Sequence, residues 1–293
     1  MECGYDTYAI TSLCCLNTLS FICFLGDGEI ILDGKVFLVT GASAGIGKET
    51  TRELARLGAT VIMACRDMEK ANQAVKDIRS TVDSGKLIPM ELDLSKLDSV
   101  RSFAQRVLRD FPRIDVLINN AGVSVPYRST TDDGFEMNFG VNHMGHYLLT
   151  RLLLDRVVQS APSRVVIVAS TLHERGRIDF DDLSGEKWTW PADGGKVRLS
   201  PGYCNSKLAN VYFARELADR LRTTQGEGSA QDVTVVSLCP GFCYTELFRY
   251  SDIKWYQYVM FAPVALLFMR SASQVGDILN DINNLLTVYK MSE

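Results

Sequence analysis

The sequence predicts an α/β protein: one domain built on a doubly wound parallel sheet. Three observations predict it. Short, continuously apolar runs alternate with amphipathic stretches. The first of these runs passes into a glycine-rich turn and then a helical pattern. No internal repeat or low-complexity tract breaks the alternation. Strands that are apolar throughout are buried on both faces, which calls for helices above and below a parallel sheet. In such sheets ligands bind beyond the carboxyl ends of the strands.

The elements follow in order. Val36 to Thr40 is a short apolar strand, and Gly45 to Leu57 a helix stopped by Gly58. Thr60 to Ala64 is the second strand, followed by a helix from Met68 to Thr81. Leu87 to Leu92 and Ile114 to Asn119 are further strands, separated by a helix from Leu97 to Asp110. A long helix from Met144 to Gln159 leads to the strand Arg164 to Ala169. After an irregular stretch come a helix from Tyr203 to Arg222 and the strand Val233 to Leu238.

With 293 residues the chain can bury a sizeable core. A net charge of −4 and the absence of any Lys/Arg block give no case for nucleic acid. The eight cysteines show neither a repeating spacing nor a Cys-x-x-Cys pair, so reduced thiols are expected rather than disulfides or zinc. His143, His146 and His173 have no carboxylate partner or ligand spacing, so no metal is expected and packing roles suffice. From Ala9 to Leu25 there is no charged residue. A run of that length sits at the lower limit for a spanning helix and favours a membrane anchor over a core helix. The boundaries expected are therefore an apolar anchor and linker over 1–28 and a catalytic domain over 29–293. Lys35, the first Lys or Arg, follows the apolar run, which favours a cytosolic domain.

The first strand runs into Thr40-Gly41-Ala42-Ser43-Ala44-Gly45-Ile46-Gly47. Small residues there let the backbone approach a pyrophosphate, whose charge suits the following helix N-terminus. The second strand ends in Ala64-Cys65-Arg66-Asp67. An acid at the place of Cys65 would hold the ribose hydroxyls of NAD(H), whereas Arg66 suits a 2′-phosphate and favours NADP(H). Further along, Tyr203 and Lys207 stand four apart on a helix and share a face. A nearby cation favours the phenolate, so Lys207 is expected to bring Tyr203 toward a range where it can shuttle protons.

Together with Asn119-Asn120-Ala121-Gly122 at the end of the fourth strand, these motifs resemble the short-chain dehydrogenase/reductase family over about Gly34 to Thr245. The resemblance implies a Rossmann-type fold and a nicotinamide cofactor. It implies cofactor contacts from Gly41, Ser43, Ala44, Gly45, Ile46, Gly47 and Arg66, and from Asp93 with Leu94 beside adenine. Asn120, Ala121 and Gly122 would flank the cofactor, as would Pro240, Gly241 and Thr245 of the Pro-Gly-x-x-x-Thr segment. It also makes Asn142, Ser170, Tyr203 and Lys207 the catalytic set. Ser170 would hydrogen-bond the substrate oxygen and Tyr203 would exchange the proton. Lys207 would also bind the nicotinamide ribose, and Asn142 would hold a water linking Lys207 to solvent.

Local phrases such as Met63-Ala64-Cys65-Arg66 and Asn142-His143-Met144-Gly145-His146 are similar to the retinol dehydrogenase and WW-domain oxidoreductase branch. That likeness implies a small hydrophobic substrate, a retinoid or another lipid alcohol or carbonyl. It also implies a membrane location, expected to be the endoplasmic reticulum with the domain facing the cytosol, and leaves room for a homodimer. Trp255 to Met269 is a second apolar stretch that could line a lipid pocket or pack as core. Trp188, Trp190 and Gly194-Gly195 suggest an ordered insertion before Tyr203. The chain's end, Asp277 to Glu293, does not resemble the family, with only Leu286 to Tyr289 as a strand candidate. This keeps a second reading open: a catalytically weak NADP(H)-binding regulatory protein of the same fold.

Overall fold

Alternate residues of an extended strand point to opposite faces, and here both faces are apolar. Leu38, Ile62, Leu117 and Ile167 join one buried cluster, while Phe37, Val39, Val61, Met63 and Ile118 join another on the opposite face. The computed structural model describes residues 31–188, 200–223 and 232–240. Its strands are β1 (Val36–Thr40), β2 (Thr60–Cys65), β3 (Lys86–Glu91), β4 (Val116–Asn119), β5 (Ser163–Val168) and β6 (Val233–Leu238). They form one parallel sheet in the order β3-β2-β1-β4-β5-β6. The order reverses between β1 and β4, and a crevice opens there at the carboxyl ends, the usual place for a ligand.

The helices are α1 (Gly45–Arg56), α2 (Met68–Arg79), α3 (Leu97–Asp110), α4 (Met137–Phe139), α5 (Gly145–Gln159) and α6 (Pro201–Thr223). Phe103 of α3, Leu149 and Leu153 of α5 and Leu217 of α6 pack into the first cluster. Leu54 of α1 and Ala71 and Ile78 of α2 pack into the second. Asp67 caps α2 by accepting from the Lys70 N–H at 3.0 Å. Pro89, which cannot donate to a ladder, sits in the outermost strand β3, where that loss is tolerated.

Several element ends shift by one or two residues from the sequence expectation, and two differences stand out. The fourth strand begins at Val116 rather than Ile114, because the Asp115 side chain, not a ladder partner, takes the Val36 N–H at 2.8 Å. The helix expected from Met144 starts earlier. It begins with α4 and widens into a π-helical turn over Gly140–Met144, closed by the Gly145 N–H on the Gly140 carbonyl, before α5 continues. Such wide turns occur mostly as single insertions, often at functional sites. Asn142 lies in it.

Among the described residues no helix is long and apolar enough to cross a membrane. The proposed anchor, Trp190, Gly194, Gly195, Gly241, Thr245, Trp255 to Met269 and the chain's end lie outside the described residues.

Candidate active site

A cleft of about 250 Å³ runs along the carboxyl ends of the strands. One end is walled by the turn after β1, where Gly41 and Gly45 hold positive φ of 69° and 55°. Gly41, Ser43, Ala44, Gly45 and Ile46 line it there. Arg66, Asp93, Leu94, Asn120, Ala121, Gly122, Tyr203, Lys207 and Pro240 line the remainder. Gly47 stands behind the wall. A β-carbon on it would come within 2.4 Å of the Gly41 carbonyl oxygen and 2.5 Å of the Asn120 amide nitrogen, so it allows α1 to pack tightly on the turn.

Thr40 ties that turn to the end of β4. Its hydroxyl accepts from the Asn120 and Ala121 N–H groups, both at 2.9 Å, and the Asn120 side chain donates to the Thr40 carbonyl at 2.8 Å. At the end of β2, Cys65 is buried and bonded to the Ser43 side chain; burial pushes its thiol up. Lys70 also lines the cleft beside Arg66 and Asp67. Sequence reasoning missed Lys70, although its position one turn into α2, after Arg66, is a legible signal.

The far end holds the polar set. Lys207 is buried on α6, and its Nζ donates to the Val168 carbonyl at 3.0 Å. Burial brings its pKa down to about 8. The same nitrogen lies 5.6 Å from the centre of the Tyr203 ring. Tyr203 is also buried, and burial raises its pKa to about 12, against a hydrogen bond to Ser170 that lowers it. The expected depression of the phenol by Lys207 is therefore corrected. In the protein alone, loss of solvent decides the direction, with the Lys207 cation lying over the ring. Tyr203 stays protonated at neutral pH, the form that can give a proton away.

Ser170 follows β5 and caps a short turn, its hydroxyl accepting from the Leu172 N–H at 3.3 Å. Asn142 uses its whole side chain to pin the segment after β4. It accepts from the Val123 N–H at 2.8 Å and donates to the Val123 carbonyl at 3.0 Å and to Ser206 at 3.1 Å. Ser170 and Asn142 thus sit around the cleft rather than in its lining. Behind the start of α6, the buried Glu136 carboxylate packs on Gly202, where a β-carbon would lie 2.1 Å from Oε2. Burial raises its pKa, against the Phe139 N–H at 2.8 Å, and it also accepts from Asn138 at 2.6 Å. No motif announced Glu136. Among the described residues there is no group of metal-ligating side chains.

A cleft with a small-residue turn at one end and a buried tyrosine and lysine at the other, with a serine bonded to the tyrosine, defines a nucleotide-dependent oxidoreductase. Comparison with known proteins agrees. The family model described as short chain dehydrogenase matches residues 35–183. Retinol dehydrogenase 13 of Homo sapiens is 46% identical over 242 residues, covering 82% of this chain and 69% of that protein. Retinol dehydrogenase 12 of Homo sapiens is 47% identical over 237 residues, covering 80% and 70%. Among solved structures, a short chain dehydrogenase/reductase from Burkholderia phymatum in complex with NAD superposes with a TM-score of 0.63 at 22% identity, over 87% of this chain and 86% of that one. An alcohol dehydrogenase from Thermococcus sibiricus complexed with 5-hydroxy-NADP gives a TM-score of 0.61 at 21% identity, over 85% and 90%; both share the fold. The chain belongs to the short-chain dehydrogenase/reductase family, in its retinol dehydrogenase branch. It is an oxidoreductase acting on CH–OH donors.

Proposed function

We propose that the chain is an NADP(H)-dependent enzyme that interconverts a retinoid-like or other lipid alcohol and its carbonyl. The observation that carries this reading is one cleft with Arg66 and Lys70 at its nucleotide end and Tyr203 and Lys207 at the other. The residues fit a dinucleotide. Gly41, Ser43, Ala44 and Gly45 line that end with small side chains, so the turn offers nearly bare backbone to a phosphate group. Arg66 and Lys70, with a neutral thiol at Cys65, suit a 2′-phosphate better than ribose hydroxyls alone. When bound, the cofactor supplies hydride chemistry, while the protein supplies position and field.

Within that reading, Tyr203 gives its phenolic proton to the substrate oxygen in reduction and recovers it in oxidation. Ser170 bonds the Tyr203 hydroxyl and is placed to stabilise charge on the substrate oxygen. Lys207 keeps positive charge under the phenol ring and is the donor available to the nicotinamide ribose. Asn142 holds this end in place: its side chain bonds Val123 and Ser206, and its main-chain carbonyl lies 2.9 Å from His146 Nδ1 and accepts from the Asn210 amide at 3.2 Å. Gly241 and Thr245 complete the nicotinamide end in this proposal.

The names of the relatives support a retinoid substrate. The uncharged run from Ala9 to Leu25 supports an anchor over 1–28 on a domain of 29–293, held at the endoplasmic reticulum membrane with the domain in the cytosol. Tyr147 and Tyr212, exposed on α5 and α6, offer an apolar face for a homodimer. The test is NADPH oxidation with all-trans-retinal in detergent, compared with NADH. Tyr203→Phe is expected to lower kcat by about 10²- to 10⁴-fold, the usual worth of a positioned proton donor. An unchanged rate in that variant would rule the mechanism out.

A further inference from the structure

His146 lies in the first turn of α5 with 1% of its surface exposed. A buried imidazole must have both ring nitrogens satisfied. Nδ1 lies 2.9 Å from the Asn142 carbonyl oxygen and Nε2 lies 2.8 Å from the Thr40 hydroxyl. A carbonyl only accepts, so Nδ1 carries the proton, and in a neutral ring Nε2 is then an acceptor. The Thr40 hydroxyl agrees. Its lone pairs take the Asn120 and Ala121 N–H groups, and its proton goes to Nε2, a shorter contact than the 3.4 Å to the Ile118 carbonyl. One protonation state satisfies every partner.

This ring joins the two ends of the site. The Asn142 carbonyl also accepts from the Asn210 amide at 3.2 Å, and that amide reaches the Val168 carbonyl at 3.4 Å. Val168 is the acceptor for Lys207. The Asn210 amide is itself oriented by His143, whose Nδ1 lies 3.0 Å from Asn210 Oδ1. A path of hydrogen bonds therefore runs from Thr40 at the glycine-rich turn through His146, Asn142, Asn210 and Val168 to Lys207.

We infer that His146 is a positioning residue which, as the neutral Nδ1–H tautomer, holds the cofactor turn and the Asn142–Lys207 centre in one register. The inference rests on reading the cleft as a dinucleotide site with a proton-transfer centre at Lys207. A second proton on the ring would turn Nε2 into a donor facing a hydroxyl whose lone pairs are already used. Burial, with Lys207 and His143 as the titratable groups bearing on it, opposes that proton and holds the ring pKa down at about 4.

The chain has three histidines, so imidazole ¹⁵N spectra of the folded protein can be resolved residue by residue. His146 is expected to show the neutral Nδ1–H pattern from pH 8 down to pH 5. An Nε2–H tautomer or an imidazolium at neutral pH overturns the inference, whatever the variants do. Two substitutions then separate the contacts. His146→Gln keeps an acceptor for Thr40 but loses the donor to Asn142; His146→Asn keeps the donor and loses the acceptor. His146→Asn is expected to raise the NADP⁺ dissociation constant, and His146→Gln to lower kcat, each about tenfold more than the other does, the scale of one buried unmade hydrogen bond. Equal losses of both quantities in the two variants, or none in either, also overturn it. The dissociation constant and the spectra do not need turnover. If Tyr203→Phe leaves activity unchanged while they come out as expected, the catalytic reading has failed and the role of His146 at the turn stands.

Discussion

The Lys207 ammonium donates to the carbonyl of Val168, the last residue of β5, at 3.0 Å. That bond fixes the cation two residues from Ser170 and beneath the Tyr203 ring, inside the protein rather than at its surface. Burial there lowers the lysine to about 8 and raises the tyrosine to about 12.

The pH dependence of the reductive reaction follows. Tyr203 remains a proton donor across the working range, so the alkaline limb of kcat/KM belongs to Lys207 and is expected near pH 8. Stability moves the other way. A lysine lowered in the folded state binds fewer protons there than when unfolded, so its cost is present below the folded value and is relieved as pH rises from about 8 toward 10.5. The raised Tyr203 then withdraws stability between 10.0 and about 12. A pH–rate profile beside denaturation midpoints checks both. A limb that persists unmoved in Lys207→Met would show that another group titrates.

Gly47 tests the turn. A β-carbon there meets the Gly41 carbonyl oxygen at 2.4 Å, and that backbone atom cannot swing away as a flexible side chain would. Gly47→Ala is expected to cost about 1–3 kcal/mol as an overpacked site and to weaken dinucleotide binding. Thermal melts with and without NADP⁺ measure the two effects. A variant as stable and as well protected by NADP⁺ as the parent contradicts the packing described.

Much of this was legible in the sequence because the central strands are apolar on both faces and the motifs lie at strand ends. Val36–Thr40 and Val233–Leu238 emerge with the expected limits, as does helix Leu97–Asp110. The π-helical turn at Gly140–Met144 was not legible, since one extra residue per turn leaves no distinct apolar period. Nor was the role of His146, whose partner Thr40 stands 106 positions away. For Tyr203 the sequence revealed the neighbouring cation but not the depth of burial, and burial decides the direction. Packing roles suffice for His143 and His146 in the sequence, but in the fold their ring nitrogens reach Asn210 and the Asn142 carbonyl.

Cys65 offers a test of cofactor choice. It is buried at the end of β2, bonded to Ser43, beside Arg66 and Lys70 at the edge of the cleft. Cys65→Asp places a carboxylate where it can accept from ribose hydroxyls and repel a 2′-phosphate. The ratio of kcat/KM for NADPH over NADH is expected to fall by at least about tenfold, given the cost of setting like charges together. A ratio that stays put would move the discrimination away from this strand end.

Asp115 holds the opposite end of the sheet's centre, where β1 and β4 begin. Its carboxylate accepts from the Val36 N–H at 2.8 Å, from Lys35 at 3.1 Å and from Arg113 Nε at 2.8 Å, with a second Arg113 contact. Burial alone would raise this acid, but the Arg113 guanidinium, the Val36 N–H and Lys35 outweigh it and hold it below its ordinary value. A lowered acid stabilises the fold above its unfolded pKa of 3.8, and that contribution is lost as pH falls through the folded value. Asp115→Asn keeps the size but turns an NH₂ toward donors, leaving buried polar groups without acceptors. It is expected to cost about 1–3 kcal/mol at neutral pH, the scale of an unsatisfied buried group. Because both cations are partly exposed, raised salt should screen their share and narrow the gap, while the part carried by the backbone bond to Val36 remains. Urea titrations of the two proteins at neutral and acid pH decide the matter. The midpoints should converge in acid, and a constant gap would mean the ionised carboxylate is not what holds β1 to β4.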